Sequence, residues 1–214
     1  AASDVYKRQW VHQIKTPLSV MRLQLQSEDT PENRAMLAEL FQMEQYVTMA
    51  LSYARLGNPT KDLVLTRVPL DPVIRQAIRD FAPLLIRKKL RLQYEPTTES
   101  ALTDSKWLLF ILHQLLSNAV KYTERGRVSI RVTSAPAIIV ADTGIGIAPE
   151  DVPRVFEKGY TGYNGRGGQK STGLGLYLVH QTAEMLHFRV SLSSRIGEGT
   201  SVTIDLHQEE LGKE

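Results

Sequence analysis

Apolar residues at Val11, Ile14, Leu18, Met21 and Leu25 advance in alternating steps of three and four. That spacing holds one stripe on one side of an α-helix and turns it toward other helices. After a break at Glu28-Asp29-Thr30-Pro31, the same steps return at Met36, Leu40, Met43, Val47, Ala50 and Ala54. Thr30 suits a helix cap and Pro31 a first helical position. The two stretches predict an antiparallel hairpin of two helices, each about 25 residues long. Two such helices bury a single stripe poorly alone, which predicts dimerisation into a four-helix bundle. Gly57-Asn58-Pro59-Thr60 then ends the pattern and marks a boundary.

From Leu63 the periodicity changes. Short apolar or β-branched runs at 63–65, 90–94, 128–133, 138–141, 189–192 and 201–206 alternate with helical stretches at 71–88, 105–122 and 172–186. The expected class is α+β: a hairpin over residues 1–57, a linker at 58–62, an α/β layer domain over 63–207 and a polar tail at 208–214. The charge balance, 26 Lys+Arg against 23 Asp+Glu with the two signs interspersed, argues against a nucleic-acid partner. No run of about 18 apolar residues is present for a membrane span. The lack of cysteine excludes disulfides and thiol chemistry and favours a cytoplasmic location.

Four segments carry chemistry. In Trp10-Val11-His12-Gln13-Ile14-Lys15-Thr16-Pro17-Leu18, His12 lies about 100° around the helix from the buried Val11 and so faces solvent. Thr16 shares its face one turn on, and Pro17 is expected to bend or loosen the helix. In the helix 105–122, an apolar stripe at Leu108, Leu112, Leu115, Ala119 and Tyr122 is joined by a polar one at Gln114, Asn118 and Lys121. An amide oxygen at Asn118 can ligate Mg²⁺ and Lys121 can neutralise phosphate, although a solvated face fits the same pattern. Asp142-Thr143-Gly144-Ile145-Gly146-Ile147 ends a strand in a carboxylate and two glycines, which suits an exocyclic amine and a flat base, or a common turn. A glycine-rich stretch from Phe156 to Lys170, punctuated by Lys158, Arg166 and Lys170, reads as a mobile phosphate lid. It leads into Ser171-Thr172-Gly173-Leu174-Gly175-Leu176, where glycines open a helix whose free N–H groups can hold phosphate, although a flexible linker before a capped helix fits the same stretch. Neither a Walker A motif nor a Rossmann fingerprint is present.

In order, HQIKTPL (12–18), HQLLSNAVKYT (113–123), DTGIGI (142–147), VFEKGYTG (155–162), STGLGL (171–176) and GEGTSVTI (197–204) resemble the H, N, G1, F and G2 boxes and closing strand of sensor histidine kinases. The resemblance runs from about Trp10 to Leu206. It implies a dimerisation and phosphoacceptor hairpin followed by an ATP-binding sandwich of the gyrase–Hsp90–kinase–MutL (Bergerat) type. Gln13 and the FEKGYTGYNGR stretch are similar to the bacitracin-sensor-like, intramembrane-sensing kinases of Gram-positive bacteria. The resemblance makes His12 the phosphoacceptor, Thr16 a placer of water for dephosphorylating the regulator, and Asn118 the Mg²⁺ ligand. Lys121 and Tyr122 become nucleotide contacts, and Asp142 the partner of the adenine amine. Gly144, Gly146, Thr172, Gly173, Leu174 and Gly175 would shape the pocket, with Lys158, Arg166 and Lys170 as candidate lid contacts to the γ-phosphate.

ATP and Mg²⁺ are the implied cofactors. A cognate response regulator, a second copy of the chain and an ABC transporter are the implied partners. The chain would be the cytoplasmic portion of a protein anchored in the bacterial cell membrane. Two departures stand out: Gln13, where most members carry Glu or Asp, and Gln114, where Asn is usual. A Gln cannot act as a general base, so Gln13 is expected to orient the His12 imidazole. Rival readings are an ATP-gated interaction module, for which His12 would be ordinary, and a serine kinase or ATPase on the same sandwich.

Overall fold

The computed structural model describes the backbone of residues 2–56, 63–162 and 172–207, with side chains over 13–51, 63–162 and 172–207. The chain divides into two compact units, Ala1–Pro59 and Thr60–Glu214.

The first unit is the expected hairpin of α1 (Ala2–Gln26) and α2 (Pro31–Leu56). Thr30 caps α2 as its position suggests: the Asn33 N–H donates to Thr30 Oγ1 at 3.1 Å, satisfying one of the donors a helix start leaves open. α1 continues through Pro17 without ending. The predicted seam is only half right. Leu18, Ala38, Leu40 and Met49 are buried where the helices meet, whereas Ile14, Met21, Met36 and Met43 are exposed, and so is Ala50. On α2 the inward stripe is thus turned from Val47 and Ala50 toward Met49. Arg22 pairs with Glu44 across the two helices.

The second unit carries β1 (Thr66–Pro69), α3 (Leu70–Arg87), β2 (Arg91–Tyr94), β3 (Ser100–Thr103), α4 (Ser105–Tyr122), β4 (Arg127–Val132), β5 (Ala137–Asp142), α5 (Gly175–Met185), β6 (Arg189–Arg195) and β7 (Gly199–Asp205). β1 and β3 form an antiparallel pair; the others form one sheet in the order β2-β4-β5-β7-β6, parallel only between β2 and β4. Alternate residues of the sheet, Val128, Ile130, Ile138, Val140, Val202 and Ile204, are buried. The helices bury Leu70, Ile74 and Phe81 from α3, Leu178 and Val179 from α5, and nearly the whole circumference of α4. A helix apolar all round belongs at the centre of a layer, and α4 packs against α3, α5 and β5. The expected order of hairpin and α/β sandwich is what the chain forms.

Three boundaries differ from expectation. Residues 63–65 are not a strand; pairing begins at Thr66, and the Val64 N–H instead donates to Asp104 Oδ2 at 3.0 Å. The strand Ser100–Thr103 was not anticipated, since Ser-Ala-Leu-Thr is too short and mixed to mark a strand and only its register with β1 defines it. α5 starts at Gly175 rather than Thr172, because Gly173 takes φ +64°, a left-handed conformation no α-helix contains. The linker at 58–62 and the tail at 208–214 lie outside the described residues.

Candidate nucleotide site

The ends of α4, β5 and α5 converge on one region. Asp142 closes β5 opposite Thr200 of β7, and its Oδ1 accepts the Gly144 N–H at 2.8 Å. Burial pushes this carboxyl above the ordinary carboxylate range; the Gly144 and Thr200 backbone N–H groups and the Thr123 hydroxyl pull the other way, and no cation is among its supports. Thr123 Oγ1 is itself buried, and its approach to the carboxyl falls short of ordinary hydrogen-bond geometry. A half-buried carboxylate with no cation among its supports keeps lone pairs available for a ligand donor.

The segment from Asp142 to Ile147 is braced at both ends. The Ile145 N–H donates to the Tyr122 carbonyl, 3.1 Å, and the Gly197 N–H to the Ile145 carbonyl, 2.9 Å. Ser194 Oγ accepts the Ile147 N–H at 2.8 Å, donates to the Gly199 carbonyl at 2.9 Å, and lies 2.8 Å from Thr200 Oγ1. Gly146 has φ +72°, and a Cβ there would fall 2.0 Å from the Arg195 carbonyl oxygen, so only glycine fits.

On the other side, α5 begins against α4. A Cβ on Gly175 would lie 3.4 Å from Gln114 Oε1 and 3.9 Å from Asn118 Oδ1, so the two amides of α4 face the N-terminus of α5. Gln114 is buried rather than part of a solvated stripe. The first N–H groups of α5 lack intrahelical acceptors and, with the helix dipole, suit an anion. Thr172 is exposed and its Oγ1 accepts the Leu174 N–H at 3.3 Å. The Gly159 N–H donates to the Gly173 carbonyl at 3.0 Å, and a Cβ on Gly173 would strike the Gly159 carbonyl carbon at 2.3 Å. The two feet of the glycine-rich stretch are thereby held together. Lys158 at one foot is exposed; Arg166 and Lys170 lie outside the described residues. Lys121 is half-buried, its Nζ 5.3 Å from the centre of the Tyr122 ring, and burial lowers its pKa. An ammonium stripped of water gains from a neighbouring anion.

Asn118, Tyr122, Asp142, Gly144, Gly146, Gly173 and Gly175 are therefore connected by direct contacts or single residues, with Lys121, Lys158, Thr172 and Leu174 alongside. His12, Gln13 and Thr16 belong to the other unit. All three lie in the unbroken helix α1, Gln13 and Thr16 are exposed, and the His12 side chain is outside the described residues. Residue-by-residue reading gave no role to Ser194 or Thr200. The signal for Thr200 was present in GEGTSVTI; Ser194 sits in an unremarkable Ser-Ser pair and only the fold reveals it.

A model of the histidine kinase-, DNA gyrase B-, and HSP90-like ATPase family matches residues 103–210. Sensor protein BceS of Halalkalibacterium halodurans is 37% identical over 204 residues, covering 94% of this chain and 61% of that protein. Sensor histidine kinase YxdK of Bacillus subtilis is 37% identical over 207 residues, covering 94% of this chain and 64% of that protein. The chain spans about three fifths of the length of these curated relatives. Among solved structures, full-length ShkA in complex with AMPPNP is similar with a TM-score of 0.64 and 26% identity, over 93% of this chain and 44% of that one. The Acinetobacter baumannii histidine kinase AdeS has a TM-score of 0.62 at 21% identity, over 92% of this chain and 98% of that one, a likeness of fold. The resemblance to bacitracin-sensor-like kinases is borne out by these relatives.

Proposed function

The chain belongs to the histidine kinase-, DNA gyrase B-, and HSP90-like ATPase family, and from that premise we propose that it transfers the γ-phosphoryl group of ATP to His12. From there the group passes to an aspartate of a response regulator, and the same hairpin assists the regulator's dephosphorylation. The observation that carries the nucleotide half is Asp142, a partly buried carboxylate at a strand end, supported by N–H groups and braced between the end of α4 and the β6–β7 turn.

Each residue has a task that its position supports. Asp142 accepts the exocyclic amine of adenine, and the glycines at 144 and 146 let the base approach the backbone. Lys121 and the first N–H groups of α5 neutralise the phosphates. Asn118 offers one hard oxygen beside that helix start, and among the described residues no cluster of carboxylates or imidazoles could bind a metal unaided. The donor set therefore fits Mg²⁺ shared with phosphate and water, which would spread the charge of the transferring group. Lys158, Arg166 and Lys170 are the candidate contacts to the γ-phosphate.

Gln13 cannot act as a base, so the free nitrogen of the His12 imidazole attacks the γ-phosphorus as the bond to ADP breaks. Gln13 holds the imidazole tautomer, and Thr16, one turn from His12, positions water for the reverse duty. Phosphoryl transfer depends on in-line placement and charge neutralisation, which these groups supply.

The hairpin dimerises, and Thr16 to Leu25 with Leu40 to Val47 receive the regulator. The working protein is anchored in a bacterial membrane through a part preceding this chain, in company with a transporter; no helix among the described residues is long and apolar enough to cross a membrane. The boundaries at 57–63 and 207 separate hairpin, linker, ATP-binding domain and tail. Incubation with γ-labelled ATP and Mg²⁺ tests the proposal. Protein-bound label that is acid-labile, alkali-stable and absent in His12→Ala is expected. Label on serine, or ATP bound without any label, would refute transfer to histidine.

A further inference from the structure

A helix end leaves its last carbonyls without intrahelical donors, and how they are satisfied decides where the final turn sits. In α4 that turn carries Asn118, Lys121 and Tyr122. Lys88, which ends α3, sends its ammonium to the Val120 carbonyl at 2.5 Å and the Thr123 carbonyl at 3.0 Å, with the Lys121 carbonyl at 3.4 Å. The Tyr122 carbonyl takes the Ile145 N–H at 3.1 Å. Four consecutive carbonyls are thus held by two donors, one from α3 and one from the loop after Asp142.

The placement of Lys88 is specific. Its neighbours Arg87 and Lys89 are exposed while Lys88 is half-buried. Lys89 takes φ +55°, and the Lys89 N–H to Ile86 carbonyl and Leu90 N–H to Leu85 carbonyl bonds lock the turn that aims Lys88 at α4. A cation at a helix C-terminus is also favoured by the helix dipole. On the pocket side, a Cβ on Gly144 would lie 2.3 Å from the Tyr122 carbonyl oxygen, so the end of α4 and the loop that holds Asp142 are in hard contact. A small shift of that turn moves Gly144, and with it the N–H that supports the Asp142 carboxylate.

We infer that Lys88 is a positioning residue for the nucleotide site: its ammonium, seated on the carbonyls of Val120 and Thr123, fixes the last turn of α4 and through it Asn118, Tyr122 and the Asp142 loop. The inference rests on the nucleotide reading above. Asp104 supplies the control, because it caps the opposite end of the same helix, where its Oδ1 accepts from Lys106 N at 2.9 Å and Trp107 N at 3.4 Å. Eighteen residues put that cap about 27 Å from the pocket end.

The test is calorimetric titration of the full chain with ATP and Mg²⁺ for the parent, Lys88→Met, Lys88→Arg and Asp104→Ala, each with its thermal unfolding curve. Lys88→Met is expected to bind about tenfold more weakly, Lys88→Arg to recover most of that loss, and Asp104→Ala to lower the melting temperature while binding as the parent does. If Lys88→Met is unfolded at the assay temperature, Lys88→Gln, which keeps an N–H donor, is expected to show a smaller loss in the same direction. Binding by the Lys88 variants equal to the parent, or lost in Asp104→Ala in proportion to its lost stability, overturns the positioning role and leaves the proposed function standing. A parent that binds no ATP overturns the proposed function, and this inference with it.

Discussion

The two units bury their apolar residues to very different extents. In the α/β unit Leu70, Ile74, Leu108, Ile111, Leu112, Ile138, Leu178 and Ile204 are wholly inaccessible. In the hairpin, Leu18 and Leu40 are buried but Met21, Met36 and Met43 remain 43%, 58% and 54% exposed, although they share the heptad spacing. A sheet covered by three helices closes its own core within one chain. Two helices have one contact line between them, and the second side of each stripe stays open for another pair. The difference separates a unit that closes its own core from a unit that leaves part of its apolar stripe exposed, as the proposed self-association requires.

That contrast can be broken at several points. The largest effect is expected from Gly146→Ala, where both the positive φ and the Arg195 carbonyl forbid a side chain. The α/β unit should lose about 3 kcal/mol in denaturant unfolding, while the helical transition stays put. A change of less than about 1 kcal/mol would mean the loop is not held as described. Next is the hairpin: Met21→Glu with Met43→Glu is expected to weaken self-association at least about 100-fold, since each buried apolar side chain contributes about 1.5–3 kcal/mol. Sedimentation velocity reads this directly, and a parent that is monomeric at micromolar concentration would remove the need for a second copy.

A smaller effect concerns acid. His113 Nε2 sits 2.9 Å from Asp80 Oδ2 between α4 and α3, its ring edge-on to Phe81, and burial outweighs Asp80 to lower its pKa. A histidine held neutral by the fold contributes full stability above its unfolded pKa of about 6.5 and loses it as pH falls below. The melting temperature of the α/β unit should therefore fall between pH 7.5 and 5.5 more steeply in the parent than in His113→Gln; parallel slopes would contradict this. The least effect is expected from Arg34→Ala, which removes an exposed pair with Asp29 and should change stability by no more than about 0.5 kcal/mol.

Much of this was legible in the sequence, for physical reasons that vary by element. α4 could be placed to the residue because its apolar stripe recurs at helical spacing through 105–122; the Asp104 cap that fixes its start emerged only from the fold. The box motifs singled out Asp142, Asn118 and the glycines, which the fold brings to one region, because close backbone approach there admits few residue types. The seam of the hairpin was visible, but which half of it faces inward was not, because spacing alone cannot distinguish a neighbour in the same chain from one in another. β3 and the true start of β1 were hidden because strand identity there comes from pairing with a distant segment. Lys88 and Ser194 were invisible for the same reason: a lysine among four basic residues and a serine beside a serine acquire meaning only when their partners are brought to them.

The most direct test of the nucleotide site is equilibrium binding of ATP by the parent and by Asp142→Asn, together with their melting temperatures. Burial raises the pKa of Asp142, so its contribution to stability is fully present below the unfolded pKa and is lost as pH rises through the folded pKa. Asp142→Asn is therefore expected to bind ATP about 30-fold more weakly, the scale of a hydrogen bond to a charged group, while melting at the same temperature or higher. Equal affinity in the two proteins would contradict the account, since the carboxylate would then be a structural group and not the one that recognises the base.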